Sequence, residues 1–245
     1  MYVLLILFLF ISLGCEKKNP CKDLQNGIFI SPELPANQTM TSAQIDNYLD
    51  IPKDIAECIS TEGLIESILN YPFVGLISAG STSQSGYVLL KSKYRGLSEL
   101  ERRGDRGKCL LQKYQSRDPL GFDKSWDDVK IGGYLVTGSY LEVILSQYIN
   151  LRDLDTQDFK NMFLRSLEVY DLENTEPDYF GYAGLAFSTA TLARMMLINN
   201  YEPFVSLYNT DDIVFSFTET YSPDDPSLIE LIHEMALEYS KKIKK

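Results

Sequence analysis

Apolar residues recur every three or four positions through most of this chain, and short polar runs with capping residues interrupt them. Thr41-Ser42 opens the first such stretch, with Ile45, Tyr48 and Leu49 on one face. Pro52 suits a first helical turn, and Ile55 and Ile59 follow at i, i+4. Ser60 or Thr61 caps a stripe of Leu64, Ile65, Ile68 and Leu69. Asn70-Tyr71-Pro72 closes that stripe, because the residue before a proline avoids the helical region. Further helices are predicted over 73–79, 84–94 and 97–103, and Asp105 is placed to cap Cys109-Leu110-Leu111. Pro119 and Gly121 then mark a break.

The second half predicts longer helices. Residues 129–148 carry Ile131, Leu135, Tyr140, Leu141, Ile144 and Leu145 on one side. Asp155 or Thr156 caps a stripe of Phe159, Phe163, Leu167 and Tyr170. Residues 182–198 are apolar all round and rich in Ala, Gly and Ser, the pattern of a helix at the centre of a domain. A short helix is predicted over 203–208. Asp225-Pro226-Ser227 opens a last one, whose Lys-rich end complements its dipole. The stretch IVFSFTET, 213–220, alternates apolar and polar residues and reads as a helix or an extended edge. The pattern predicts an all-α fold, an irregular α-α superhelix or a bundle of antiparallel helix pairs. It forms one domain over 41–245 with a subdomain break near 118–123.

Residues 1–14, MYVLLILFLFISLG, are uncharged and almost wholly apolar. As a helix they would span about 21 Å, short of the ~30 Å hydrocarbon core, so a signal peptide fits better than a membrane span. Leu13-Gly14-Cys15 resembles the processing site of bacterial lipoproteins, which makes Cys15 the lipidation site. Ser12 and the uncharged Met1-Tyr2 depart from the usual pattern. Residues 15–40 then read as a lipidated tether, with Pro20, Pro32, Pro35 and Gly27. Glu16, rather than Asp, after the anchor leans toward the outer membrane. The expected location is the bacterial cell envelope, on its periplasmic or surface face.

The net charge of −11 argues against nucleic acid as a partner. The charge is uneven. Residues 91–117 hold nine bases and three acids, and residues 151–235 hold sixteen acids and four bases. The two segments either face each other or form solvated helix faces. The sharper alternative is an anion- or partner-binding surface at Arg102, Arg103 and Arg106. Beyond Cys15, the remaining thiols are Cys21, Cys58 and Cys109. Cys58 and Cys109 lie in apolar helical patterns and stand as two buried thiols or one disulfide, leaving Cys21 free in the tether.

Catalytic and cofactor signals are weak. His233 is the only histidine, which excludes a multi-histidine metal site. Gly132-Gly133 and Gly181-x-x-Gly184 do not have the spacing of phosphate-cradling loops, so no cofactor is expected. Three carboxylate pairs are the enzymatic alternative: Glu62 with Glu66, Asp127 with Asp128 beside Trp126, and Asp211 with Asp212. Each also sits where helix caps and first turns place acids. Sixteen tyrosines stand against one tryptophan, and Tyr179, Tyr201 and Tyr221 are the exposed candidates for a protein-binding face.

The stretches IPKDIAECISTEGLIESILNYP (51–72) and YRGLSELERRGDRGKCLLQKY (94–114) resemble an uncharacterised family of bacterial envelope lipoproteins. That resemblance implies an all-helical domain with paired helices, and it brings no activity or site residues. The expected role is therefore a lipid-anchored, non-enzymatic scaffold or interaction domain with a protein partner. The alternative is a protein that binds or hydrolyses glycans through paired carboxylates.

Overall fold

The computed structural model describes residues 21–244 apart from 23, 37 and 224. The signal peptide and lipidation readings, residues 1–14 and Cys15, lie outside the described residues. Among the described residues the secondary structure is entirely helical, so the all-α expectation holds. In chain order the helices are α1 (Ser42–Leu49), α2 (Lys53–Cys58), α3 (Thr61–Leu69), α4 (Ser83–Lys93), α5 (Arg95–Leu100) and α6 (Arg106–Ser116). After a loop come α7 (Asp128–Leu145), α8 (Tyr148–Leu151), α9 (Thr156–Asn174), α10 (Pro177–Ile198), α11 (Glu202–Thr210), α12 (Asp212–Thr220) and α13 (Pro226–Ile243). Short 3₁₀ turns cover Gln25–Gly27 and Val74–Ser78, the latter where an α-helix was expected over 73–79.

Polar caps set many helix starts. Thr41 and Gln44 form a reciprocal capping box, Ser60 Oγ accepts from Gly63 N at 3.0 Å, and Asp155 accepts from Asp158 N at 2.8 Å. Each such cap contributes about 1 kcal/mol. Asp105 departs from expectation. Its side chain caps nothing and instead accepts from Thr61 Oγ1 at 2.7 Å, joining α6 to α3. IVFSFTET is helical, as α12. Asp211 caps it through Ile213 N and Val214 N, and Val214, Phe217 and Thr218 are buried at helical spacing. A strong cap and one buried face outweigh the alternation.

The central helix is α10. Its residues Leu185–Met196 are buried apart from half-buried Phe187, and it packs against α7, α8, α9, α11, α12 and α13. Its small residues let these neighbours approach. Gly181, at φ +54°, breaks the helix after its first turn, in a region of backbone space that favours glycine. One hydrophobic cluster runs from Leu49 to Tyr239, across the loop at 117–127. The two segments 51–72 and 94–114 form α2, α3, α5 and α6 and pack together as paired helices.

Residues 21–31, read as tether, lie on the domain. Phe29 N donates to Ser67 Oγ at 2.9 Å and Ser31 Oγ to Leu49 O at 2.8 Å. Leu24 and Phe29 pack on the core. The disulfide joins Cys21 to Cys58, with Cα atoms 6.0 Å apart, and Cys109 is a buried free thiol. A Cys58–Cys109 disulfide, one of the two alternatives, is thereby corrected, as is a free Cys21, while Cys109 is a buried thiol as the other alternative had it. The strap of residues 21–31 brings Cys21 to α2, whereas Cys109 is held on α6 against Glu62.

Candidate functional site

The structure distributes the basic segment mostly among near neighbours. Arg102 and Arg103 both reach Glu99, at 3.0 and 2.9 Å, and Arg103 also donates to Ala56 O at 2.7 Å. Arg106 donates to Arg103 O and Ile149 O and lies 3.8 Å from Asp153. Lys93, Arg95 and Lys113 pair with Asp46, Asp50 and Glu66 of α1, the loop after it and α3. Among the described residues, Arg106–Asp153 is the ion pair that joins the basic segment to 151–235, so these cations chiefly bind the N-terminal helices. Of the arginine trio, Arg102 alone keeps its side chain in solvent.

Glu62 and Glu66 do share a cavity, of about 290 Å³, with Cys109 and Lys113. Lys113 pairs with Glu66, and the Cys109 thiol donates to Glu62 at 3.3 Å. Hydrogen bonds from its own backbone N–H and from Cys109 lower the Glu62 pKa, while burial pushes the thiol up to about 12. This arrangement holds neither a protonated acid nor a reactive thiolate. Asp127 and Asp211 are spent as helix caps. His233 stacks on Tyr170 at 3.8 Å, with Nε2 3.4 Å from Asp171, and burial lowers its pKa.

The tyrosine expectation is corrected in part. Tyr201 and Tyr221 are 8 % and 2 % exposed, because the rings complete the core around α10. Tyr179 is half-buried in an aromatic end with Phe122, Tyr134 and Phe180, and Trp126 joins it through Tyr134. Lys124 and Lys130 lie over the Tyr179 and Trp126 rings, and Val129 beside them is 85 % exposed.

Two buried charge centres escaped the sequence reading. At the first, Arg194 of α10 is 1 % exposed. Its Nε donates to Thr218 O at 2.7 Å, and Nη2 to Glu219 O at 2.8 Å and Gln84 Oε1 at 3.0 Å. Its Nη1 donates to Tyr221 Oη at 2.5 Å and Ser146 O at 3.3 Å. The acceptors Ser146 O, Thr218 O and Glu219 O belong to the C-terminal ends of α7 and α12, whose last carbonyls have no intrahelical partner. The Tyr221 and Tyr148 rings flank the guanidinium at 4.2 and 5.0 Å. Tyr221 ends α12 at φ +63°, an unusual conformation for a bulky residue, which its hydroxyl bonds hold in place.

At the second centre, Glu142 of α7 and Glu173 of α9 are 1 % and 5 % exposed. Tyr114 of α6 donates to Glu142 Oε1 at 2.7 Å. Among the described residues, Glu173 Oε2 and Ser166 Oγ have no hydrogen-bond partner. Burial pushes the Glu142 pKa up to about 7. Burial and then the charge of Glu142 also push Glu173 well above the usual range, while Arg117 pulls both down. Their signal in the sequence is a charge inside an apolar helical run, TLARMMLI for Arg194 and YLEVIL for Glu142.

Among the described residues, no group of three or more His, Cys, Asp or Glu side chains is arranged to hold a metal ion, and no helix is long and apolar enough to cross a membrane. No protein-family model, no curated protein and no solved structure matches this chain.

Proposed function

We propose that this protein is a lipid-anchored, non-enzymatic interaction domain of a bacterial cell envelope, akin to the lipoprotein family that segments 51–72 and 94–114 resemble. The Cys21–Cys58 disulfide carries the reading. Disulfides persist in oxidising compartments such as the periplasm, and this one lies six residues after the lipobox-like Cys15. The engagement of Glu62, Glu66, Asp127 and Asp211 favours the scaffold role over glycan hydrolysis. The aromatic end around Trp126, Tyr134 and Tyr179, with exposed Val129, suits the partner-binding face, since aromatic side chains dominate interface energetics. The test is metabolic labelling with a radioactive fatty acid, then cell fractionation, for wild type and Cys15→Ala. Labelled, membrane-bound wild type and unlabelled, released variant are expected. Equal labelling and fractionation of the two would sink the anchor.

A further inference from the structure

Only four cations occur in the acidic stretch 151–235. Two are spent inside the fold: Arg194 in its buried centre, and Arg165, which binds Glu168 at 2.6 Å and Arg117 O at 2.5 Å. The other two, Arg152 and Lys160, line one cavity of about 560 Å³; their side chains make no ion pair or hydrogen bond among the described residues, and the Arg152 guanidinium lies 5.9 Å over the Tyr148 ring. The cavity opens where α8 ends, α9 begins, and α10 and α13 end. Its apolar wall is Leu154, Phe159, Ile198 and Ile243, all half-buried with one side on the core. Asp155 also reaches the cavity, but its Oδ1 is engaged as the cap of α9.

We propose that this cavity binds a single-chain amphiphile with an anionic head group, the chain against Phe159 and Ile198 and the head between Arg152 and Lys160. The volume lies within the ~300–1,000 Å³ of small-molecule pockets, which combine apolar walls with a few polar groups that fix orientation. An apolar wall alone would not specify charge, and two surface cations alone would not specify a chain. Their coincidence in one cavity, within a stretch otherwise acidic, specifies both. Arginine beside lysine suits a carboxylate or a phosphate, the shared chemistry of fatty acids and phospholipid fragments. The site does not depend on the lipid at Cys15.

The probes are dodecanoate, dodecyl phosphate and dodecanol, titrated calorimetrically below their micelle concentrations into the disulfide-bonded domain. Saturable binding of one anionic amphiphile per chain is expected, at least about tenfold tighter than dodecanol. Arg152→Gln with Lys160→Gln should erase that preference while leaving dodecanol affinity and the helical circular dichroism unchanged. Thr156→Trp, at the exposed mouth, should weaken all three ligands. Stronger binding of the phosphate points to a phospholipid source and of the carboxylate to a fatty acid; both uphold the site. Equal affinity for dodecanol and dodecanoate, no saturable binding, or a charge preference that survives the double substitution would overturn it.

Discussion

Arg194 and the Glu142–Glu173 pair are equally removed from water, yet the fold treats them oppositely. Around Arg194, four elements converge so that every donor atom of the guanidinium meets an oxygen, three of them backbone carbonyls that helix ends leave over. Around the acids, among the described residues, one oxygen has Tyr114 and another has nothing. A buried cation can remain charged when helix C-termini solvate it. Two buried carboxyls without a matching set of donors hold their protons to higher pH instead. The first centre is thus a fixed joint between α7, α10 and α12, and the second is a load on the α7–α9 contact that varies with pH.

The largest expected effect comes from breaking the joint. Arg194→Met orphans Ser146 O, Thr218 O and Glu219 O together, and we expect a loss of about 3–5 kcal/mol. At about 2–4 °C per kcal/mol for a chain of this size, the melting temperature falls by roughly 10 °C or more. Arg194→Lys should lose nearly as much, because one ammonium cannot span the same acceptors. A thermal melt within a degree or two of wild type would place the joint elsewhere.

The second effect is a pH dependence with a definite sign. Both acids have folded-state pKa values above the ordinary 4.5 of a glutamate, so the folded state holds more protons than the unfolded chain above that pH. Stability from this centre is complete below about 4.5 and falls as pH rises through the raised pKa values, about 7 for Glu142. The slope is up to about 1.4 kcal/mol per pH unit for each group. His233 acts oppositely just below 6.5, since its lowered folded pKa makes the unfolded state the better proton acceptor. Urea midpoints at pH 5 and pH 8 measure the sum. Glu173→Gln should raise stability at pH 8 and flatten the curve; a curve as steep as wild type would acquit this pair.

A smaller effect sharpens the contrast. A Cβ on Gly138 would lie 2.4 Å from Arg117 Cζ, so Gly138→Ala displaces the guanidinium whose charge restrains both acids. The difference in stability between pH 5 and pH 8 should widen by about 1 kcal/mol. Comparing the two pH values removes the helix-propensity gain of alanine.

Local chemistry made much of the fold legible. Thr41, Ser60, Asp155 and Asp225 each cap the helix that the sequence places after them, and the small residues of 182–198 announced the central helix. What stayed hidden depends on distant partners. Cys21 gave no helical register, so its pairing with Cys58 required knowing that residues 21–31 strap onto α2 and α3. Asp105 looked like a cap until Thr61, 44 residues away, took its carboxylate. Glu142 and Arg194 were visible as charges in apolar runs, but their meaning lay in which helix ends met them. The cavity of Arg152 and Lys160 takes most of its lining from 151–160, but it closes only where the ends of α10 and α13 add Ile198 and Ile243.

The strap at residues 21–31 also determines reach. With Cys15 as the anchor, only five residues, 16–20, lie between it and the first covalent attachment to the domain, six residue steps in all. Fully extended, they span about 20 Å, less than the diameter of a small domain. A protein moored on so short an arm cannot search the volume above a membrane. On the anchoring proposed above, its partners would come down to the bilayer, or already lie in it, and its helices would meet them at headgroup height.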